Sequence, residues 1–158
     1  MFKKIILIVF MGIVLLILAS YFLFQKEIQE MPAKYHTAGQ NEKIISINDR
    51  ILTVEIADEP IEQVQGLSDR ENLGSQKGML FIFDQPIMPG FWMKDMHFDI
   101  DIIWIDASGT IVGIEKSVSP DTYPQTFNPP SPIKYVLEVN AGWSDKNKIK
   151  IGDQITGL

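Results

Sequence analysis

The chain of 158 residues lacks cysteine altogether and contains only two histidines. Without cysteine it can form no disulfide, no lipid-modified cysteine anchor, no thiol redox centre and no covalent haem link. A G-x-S-x-G sequence is also missing, and His36 falls in a polar segment, so Ser–His–Asp catalysis has no support. A P-loop and a glycine-rich dinucleotide motif are missing too. We therefore expect no cofactor and assign no catalytic residue.

Basic residues are scarce beyond residue 27. All but Glu27 of the 20 acidic residues, but only 11 of the 14 basic ones, lie there, which leaves a net charge of −8. Such a surface repels the phosphates of nucleic acids and the headgroups of anionic lipids. We therefore expect no nucleic-acid partner.

Charge is absent from Ile5 to Phe24, where fifteen of the twenty residues are Ile, Leu, Val or Phe. A helix of that length rises about 30 Å, which matches the hydrocarbon core of a bilayer. Lys3 and Lys4 precede this run, so the positive-inside rule places the N-terminus in the cytoplasm. The sequence therefore predicts a single pass through the cytoplasmic (inner) membrane, with the remaining chain outside, in the periplasm or beyond the cell.

A cleaved signal peptide is the alternative interpretation of the same run. Its apolar region is usually about 7–15 residues long and ends at an A-x-A-like site. The run here is longer, and Leu18-Ala19-Ser20 matches that site poorly. We therefore expect an uncleaved signal anchor that binds the lipid bilayer through residues 5–24, preceded by a cytoplasmic stub at 1–4.

Residues 25–43 are polar, show no apolar periodicity and predict a linker. Short apolar segments separated by turn residues then fill residues 44–158 and predict an extracytoplasmic domain. The predicted strands are 44–47, 51–57, 79–83, 111–114 and 134–139, a strand in the stretch 91–106 that is half solvated at its start and buried at its end, and a last short strand within 149–156. A helix at 59–66, with Asp58 as N-cap and its apolar side inward, and a helical turn at 143–148 complete the prediction.

This pattern indicates a mainly-β fold. We expect a compact sandwich or partly closed barrel of about seven or eight short strands with one or two short helices, preceded by one transmembrane helix. The connection at 119–132 holds five of the nine prolines. An irregular connection of that length is either a rigid surface crossover or a lid over a ligand.

Polar residues alternate with apolar ones in the stretch Phe91 to Asp106, FWMKDMHFDIDIIWID. If this stretch is extended from its start, Asp95, His97, Asp99 and Asp101 share one face. Carboxylates and an imidazole on one face are able to hold a divalent cation. A solvated strand face explains the same pattern, and we favour it, so no metal ligand is assigned.

Two acidic residues, Asp101 and Glu138, are embedded among apolar residues of predicted strands. If the two carboxyl groups face each other, they resemble the acid–base pair of a hydrolase. Ion pairs with Arg70 or Lys94 account for them equally well, because a buried charge needs a partner. We favour the ion pairs.

Several motifs occur in an order that resembles the domain of unknown function 192 family. They are QGLSDRENL at 65–73, GMLFIF at 78–83, FWMKDM at 91–96, DIIWID at 101–106, YVLEVNAG at 135–142 and IGD at 151–153. The resemblance covers roughly residues 51 to 156 and implies a compact mainly-β domain of bacteria and archaea. It brings no established activity or cofactor. The matching positions are Gly66, Arg70, Gly78, Met79, Phe91, Trp92, Met93, Lys94, Asp101, Glu138, Asn140 and Gly142.

The chain departs from the family pattern after Asp95. Members usually show N-T-x-I-P-L-D, whereas this chain has Asp95-Met96-His97-Phe98-Asp99-Ile100-Asp101. The usual proline implies that residues 95–99 turn instead of running straight. That implication weakens both the alternating face and the metal hypothesis.

The favoured functional hypothesis is a membrane-anchored extracytoplasmic binding or accessory domain, whose partner is an unknown small molecule or an envelope protein. We expect its binding patch to combine Arg70, Trp92, Lys94, Asp101, Glu138 and Asn140. A cell-envelope hydrolase using Asp101 and Glu138 is the first alternative. A divalent-metal-binding module is the second.

Overall fold

The computed structural model describes Ser20 and residues 41–158. Apart from Ser20, the predicted transmembrane segment 5–24 lies outside the described residues, as do the predicted stub and most of the linker. Within the described part of the chain, no helix has both the length and the apolar character needed to cross a membrane.

Residues 41–158 contain seven strands in a single sheet, in the order β5-β4-β6-β3-β2-β1-β7. The strands are β1 Glu42–Ile47, β2 Arg50–Ala57, β3 Lys77–Ile87, β4 Ile100–Ile105, β5 Ile111–Val118, β6 Ile133–Asn140 and β7 Ile155–Thr156. Two α-helices, α1 Pro60–Gln65 and α2 Trp143–Lys146, and a 3-10 helix at Pro120–Thr122 lie in the connections. Only β2 and β3 pair in parallel, because α1 intervenes between them.

The sheet curls into a half-barrel. The Ile155 N–H donates to the Gly109 carbonyl at 2.9 Å, and the Ile111 N–H donates to the Asp153 carbonyl at 2.9 Å. These bonds bring the chain around β7 to the beginning of β5, at the opposite edge of the sheet. The mainly-β fold and the partly closed barrel predicted from the sequence are confirmed.

Two apolar clusters lie on the two faces of the sheet. One draws residues from all seven strands and fills the inside of the curl, with Leu137 and Val139 as its members from β6. The other lies on the outside, where Val136 of β6 packs with Phe81 and Trp104 beneath the loops that cover this face. Successive β6 residues alternate between the clusters, and all four from Val136 to Val139 are buried.

Helix α1 turns its apolar residues outward, so the predicted inward orientation is wrong. Ile61 is 63% exposed and Val64 is 77% exposed. The helix is instead attached to the sheet by Gln63, whose side-chain amide donates to the Ile82 carbonyl at 2.9 Å. Its N-cap is Glu59 and not Asp58, and the Glu62 carboxylate accepts from the Glu59 N–H at 3.1 Å.

The stretch before β4 turns instead of running as a strand. Lys94 and Asp95 form a turn in which Asp95 has φ of 55°, and the strand begins only at Ile100. The prediction of an alternating face from residue 91 is therefore wrong before Ile100, whereas the turn implied by the family pattern is confirmed. Phe91 forms two backbone hydrogen bonds with Phe127, at 2.9 and 2.8 Å, which attach the proline-rich connection to this stretch.

Candidate functional site

A row of paired residues crosses the outer face of the sheet. Register places Glu55 of β2 beside Met79 of β3, Met79 beside Glu138 of β6, and Glu138 beside Ile102 of β4. Because directly paired residues point to the same side of a sheet, both glutamates lie on the outer face. Glu138 is therefore near the middle of the sheet, between two apolar neighbours.

The Glu138 side chain is buried, with 6% of its surface exposed. Among the described residues, no group donates a hydrogen bond to its carboxyl. Burial raises the pKa of Glu138 to about 8, because the anion is poorly solvated, while the positive charge of Arg70 acts in the opposite direction. Glu138 is consequently mostly protonated at pH 7.

The carboxyl lines a cleft that opens to solvent on the outer face. The walls are formed by the chain from Gln63 to Ser68, by the ring of Phe81, by Gly90 to Trp92 and by Met96. The cleft has a volume of about 70 Å³, which suits a small chemical group. Two apolar residues at its rim, Val64 and Trp92, are more than half exposed.

Aromatic packing fixes the walls of this cleft. The Phe91 ring meets the Phe81 ring edge to face, with centroids 4.9 Å apart, and the Trp104 ring in the same manner at 5.5 Å. Gly66 ends α1 with φ of 49°, and a Cβ there would lie 3.3 Å from the Phe81 ring. A residue without a side chain therefore lets the chain turn closely over Phe81.

Arg70 lies near the same row, and its guanidinium group is bound to Glu55. Its two terminal nitrogens contact the two Glu55 carboxylate oxygens, each at 2.8 Å, in a bidentate pair. Hydrogen bonding to Arg70 lowers the pKa of Glu55, and the same bond raises the pKa of Arg70. Arg70 thus acts on Glu138 through its electric field and not through a hydrogen bond.

Asp101 lies on the opposite face, because its partner in the register is Val139, next to Glu138 on β6. It is fully buried and accepts three backbone N–H bonds, from Ser117 at 2.9 Å, Gly142 at 3.0 Å and Ser144 at 2.9 Å. The carboxylate thereby ties β4 to β5 and to the beginning of α2. Asp101 and Glu138 do not face each other, so the predicted carboxylate pair of a hydrolase does not form.

Other members of the predicted patch have separate roles. Lys94 is half exposed and pairs with its neighbour Asp95. Asn140 shares the outer face with Glu138, but its side-chain amide donates to the Leu73 and Gly74 carbonyls, both at 3.0 Å. Of the six predicted residues, Glu138 and Trp92 line the cleft, Arg70 acts on it electrostatically, and Lys94, Asp101 and Asn140 do not line it.

The predicted metal hypothesis finds no support in the geometry. Across residues 41–158 and at Ser20, no three His, Cys, Asp or Glu side chains are grouped so that they could hold a metal ion. Asp95, His97 and Asp99 are exposed on the turn, and Asp101 is held inside the barrel end.

Sequence reasoning missed the apolar walls of the cleft, in particular Phe81, Phe91 and Met96. Phe81 and Phe91 lie in motifs that carry the family resemblance, GMLFIF and FWMKDM, and this coincidence was the available signal. An aromatic residue at strand spacing is more often part of the core, so the pattern alone does not separate a cleft wall from core packing.

Comparisons with known proteins agree on the fold and leave the activity open. The family model of DUF192, described as Uncharacterized ACR, matches residues 43–157. A solved structure of a candidate transcription regulator from Sinorhizobium meliloti 1021 is 30% identical, with 73% of this chain and 93% of that chain covered and a TM-score of 0.70. A protein of unknown function from Novosphingobium aromaticivorans DSM 12444 is 27% identical, with coverage of 75% and 87% and a TM-score of 0.71. No curated protein matches the chain.

We expect Asp101→Asn to lower the free energy of unfolding by about 2–3 kcal/mol, because the Asn amide nitrogen cannot accept the N–H bonds that a carboxylate oxygen accepts. Denaturant unfolding measures the change. Asp99→Asn is the matched control, since Asp99 is exposed and two residues away, and it should change stability by less than about 0.5 kcal/mol. Equal effects of the two substitutions would contradict the structural role of Asp101.

Glu138 should make the fold less stable as pH rises from 5 to 8. Its pKa is near 4.5 when unfolded and about 8 when folded, so in this window the folded chain holds one more proton than the unfolded chain. The free energy of unfolding then falls by at most about 1.4 kcal/mol per pH unit, with the steepest slope near the middle of the window. The pKa values of Glu55 and Asp106 are lowered, so the titration of these two groups changes the free energy of unfolding only below pH 5.

Denaturant unfolding at several pH values tests this expectation, with Glu138→Gln as the comparison. The variant should lose the slope between pH 5 and 8 and be more stable than the natural chain at pH 8. A slope that persists in the variant would place the titrating group elsewhere.

Proposed function

The chain belongs to the DUF192 family, and we propose that it acts as a membrane-anchored extracytoplasmic binding domain whose ligand site is the Glu138 cleft. The observation that carries the proposal is the Glu138 carboxyl, which is buried and lacks a hydrogen-bond donor among the described residues. Buried polar groups that serve the fold are almost always hydrogen-bonded, as Asp101 is here. Glu138 instead lines an open cleft, together with the aromatic residues Phe81, Phe91 and Trp92.

The rim of the cleft also supports binding. Val64 and Trp92 expose large apolar surfaces beside it, and the Trp92 ring packs against Tyr123 at a centroid distance of 6.4 Å. Small-ligand sites usually combine apolar and aromatic walls with a few polar groups. Here Phe81, Phe91 and Trp92 supply aromatic surface, and Glu138 is one of several polar residues in the lining. An apolar rim lets a ligand continue beyond the cleft and bury further surface.

Regulation of transcription is suggested by the description of the Sinorhizobium protein, but the charge of this chain disfavours it. Residues beyond 27 carry a net charge of −8. A protein that binds DNA needs cations to replace the counterions on its phosphates. We therefore propose a small-molecule or envelope-protein ligand instead of a nucleic acid.

The proposed location is supported by the sequence alone. Ile5 to Phe24 has no charge and the length of a bilayer crossing, and Lys3 and Lys4 precede it. In this arrangement the domain lies outside the cytoplasmic membrane, on a polar linker of about nineteen residues.

Binding in the cleft is testable on the full chain in detergent, with every tryptophan replaced by 5-fluorotryptophan. The three tryptophans, Trp92, Trp104 and Trp143, give three fluorine resonances. The probes are pentylammonium, pentanoate, pentanamide and 1-pentanol at millimolar concentration, as suits ligands of so few atoms. We expect at least one probe to shift the Trp92 resonance in a saturable manner, while the Trp143 resonance, from the interior cluster, stays in place.

Two variants on α1 serve as a matched pair for this experiment. Val64 lines the cleft and Ile61 does not, and both are exposed. Val64→Phe should therefore weaken the shift, because its ring covers the mouth, and Ile61→Phe should leave it unchanged. Failure of all four probes to shift the Trp92 resonance would overturn the proposed binding function.

Membrane attachment should resist alkaline extraction in the natural chain and be lost in the double variant Val14→Asp, Ile17→Asp. Each Asp costs about 2.5–3.5 kcal/mol near the centre of a bilayer helix. Gln25→Asp with Gln29→Asp is the control, since it adds the same charge in the predicted linker. A natural chain found in the soluble fraction would contradict the anchor, and an intact mass that begins after the apolar run would identify a cleaved signal peptide.

A further inference from the structure

We propose that the Glu138 cleft binds a primary alkylammonium group, with the nitrogen against the Glu138 carboxylate and the methylene chain along the aromatic walls. This inference rests on the proposed binding function and names the chemical class of its ligand. The same group occurs at the end of a lysine side chain and in free aliphatic amines.

The hydrogen-bonding capacity of the cleft points to a ligand that donates. The other polar side chains of the lining are already used within the protein. The Gln63 amide donates to the Ile82 carbonyl, the Gln65 amide donates to the Ser68 carbonyl at 3.2 Å, and the Ser68 hydroxyl donates to the Lys94 carbonyl at 2.9 Å. Glu138 is left with two oxygens that accept no hydrogen bond from the described residues, and an ammonium offers three donors.

The charges around the cleft favour a cation over an anion. Arg70 is the cation that acts on Glu138, but it is held by Glu55 in a bidentate pair and does not line the cleft. Residues beyond 27 carry −8 in total, which attracts cations to the surface. A ligand carboxylate in the cleft would meet the acid Glu138, and the described lining contains no Lys or Arg to bind it.

The walls suit the remainder of such a ligand. Phe81, Phe91 and Trp92 line the cleft, and aromatic faces attract ammonium ions. At about 70 Å³ the cleft admits a narrow head group and not a drug-sized molecule. The exposed rim formed by Val64 and Trp92 then gives the methylene chain an apolar surface.

Binding of an ammonium ion requires the ionised form of Glu138, so a proton leaves the carboxyl as the cation enters. Among the described residues of this row, Arg70 pairs with Glu55 and Lys77 pairs with Glu42, while Glu115 lies beside Ile102 on the far side from Glu138. On the covering helix α1, the Glu62 carboxylate accepts backbone N–H bonds at the start of that helix. Because the pKa of Glu138 is about 8, about 1% of the carboxyl is ionised at pH 6 and about half at pH 8. The apparent affinity for a cation should therefore rise about 50-fold over this range.

The experiment is a titration of the full chain, labelled with 5-fluorotryptophan, with pentylammonium and 1-pentanol at pH 6 and pH 8. An alkyl amine remains charged at both values, so a change in its affinity reports the protein. We expect pentylammonium to bind about 50-fold more tightly at pH 8 and more tightly there than 1-pentanol. Binding of 1-pentanol should not strengthen with pH.

Three variants complete the test. Glu138→Gln should lose both the preference for the cation and its pH dependence. Val64→Lys should weaken pentylammonium binding by repulsion at the rim, whereas Ile61→Lys, on the same helix outside the cleft, should change it less. Because Ile61 and Val64 are exposed, neither lysine is expected to disturb folding.

A cleft that binds 1-pentanol or pentanamide but not pentylammonium at pH 8 would overturn the ligand class and leave the binding function standing. An affinity for pentylammonium that survives Glu138→Gln would also overturn it.

A parallel titration with acetyl-Gly-Lys-Gly-amide separates the two sources of the group. Tighter binding of the peptide supports a lysine side chain as the ligand, and tighter binding of pentylammonium supports a free amine.

Discussion

The interior position of β6 in the sheet is the constraint on which the rest of the structure depends. It lies between β3 and β4, and all four residues from Val136 to Val139 are buried. A strand covered on both faces has no solvated side on which to place a charge. The glutamate at position 138 therefore has to reach water, a partner or a ligand through whatever covers the outer face. The cleft between α1 and the Phe91 loop is that opening.

Asp101 and Glu138 show how the same sequence pattern leads to opposite physical outcomes. Both are acids among Ile, Val and Leu residues, and both are buried. Asp101 points into the end of the barrel, where three backbone N–H groups replace the water that it lost. Glu138 points outward between β3 and β4, whose backbone groups pair with β6 in the ladder, and no group among the described residues donates a hydrogen bond to its carboxyl. Asp101 pairs with Val139, the residue after Glu138, and this offset of one residue places the two carboxyls on opposite faces of the sheet.

This difference also explains why the sequence predicted the strands but not the arrangement of the site. The hairpin of β1 and β2, the buried strand at 79–83 and the hairpin of β4 and β5 follow from local patterns, and they are present. The site depends on which strands lie side by side, and β6 pairs with β3 and β4, whose paired residues lie thirty or more positions before their partners in β6. That pairing decides that Asp101 and Glu138 lie on opposite faces, and no local pattern contains it. The prediction of the α1 orientation failed for a related reason, because the Gln63 side chain faces the sheet and donates hydrogen bonds to the Ala57 and Ile82 carbonyls. The contact with Ile82 is not visible in the local pattern, and it accompanies the exposure of Ile61 and Val64.

The cations near the row of paired residues on the outer face are bound by other acids, which leaves Glu138 free to contact a ligand in the cleft. Register places Glu42 beside Glu55 at one end of the row that contains Glu138. Lys77 binds Glu42 at 2.6 Å, and Arg70 binds Glu55, so each of these two acids has its own cation. If Glu55 did not hold both ends of the Arg70 guanidinium, that cation would be free to turn to Glu138 and neutralise it. The bidentate pair fixes the guanidinium in one geometry, and from the position of Glu138 a pair of opposite charges has a much weaker field than a lone cation. Burial therefore prevails over Arg70 in setting the pKa of Glu138, and Glu138 has no cation of its own among the described residues.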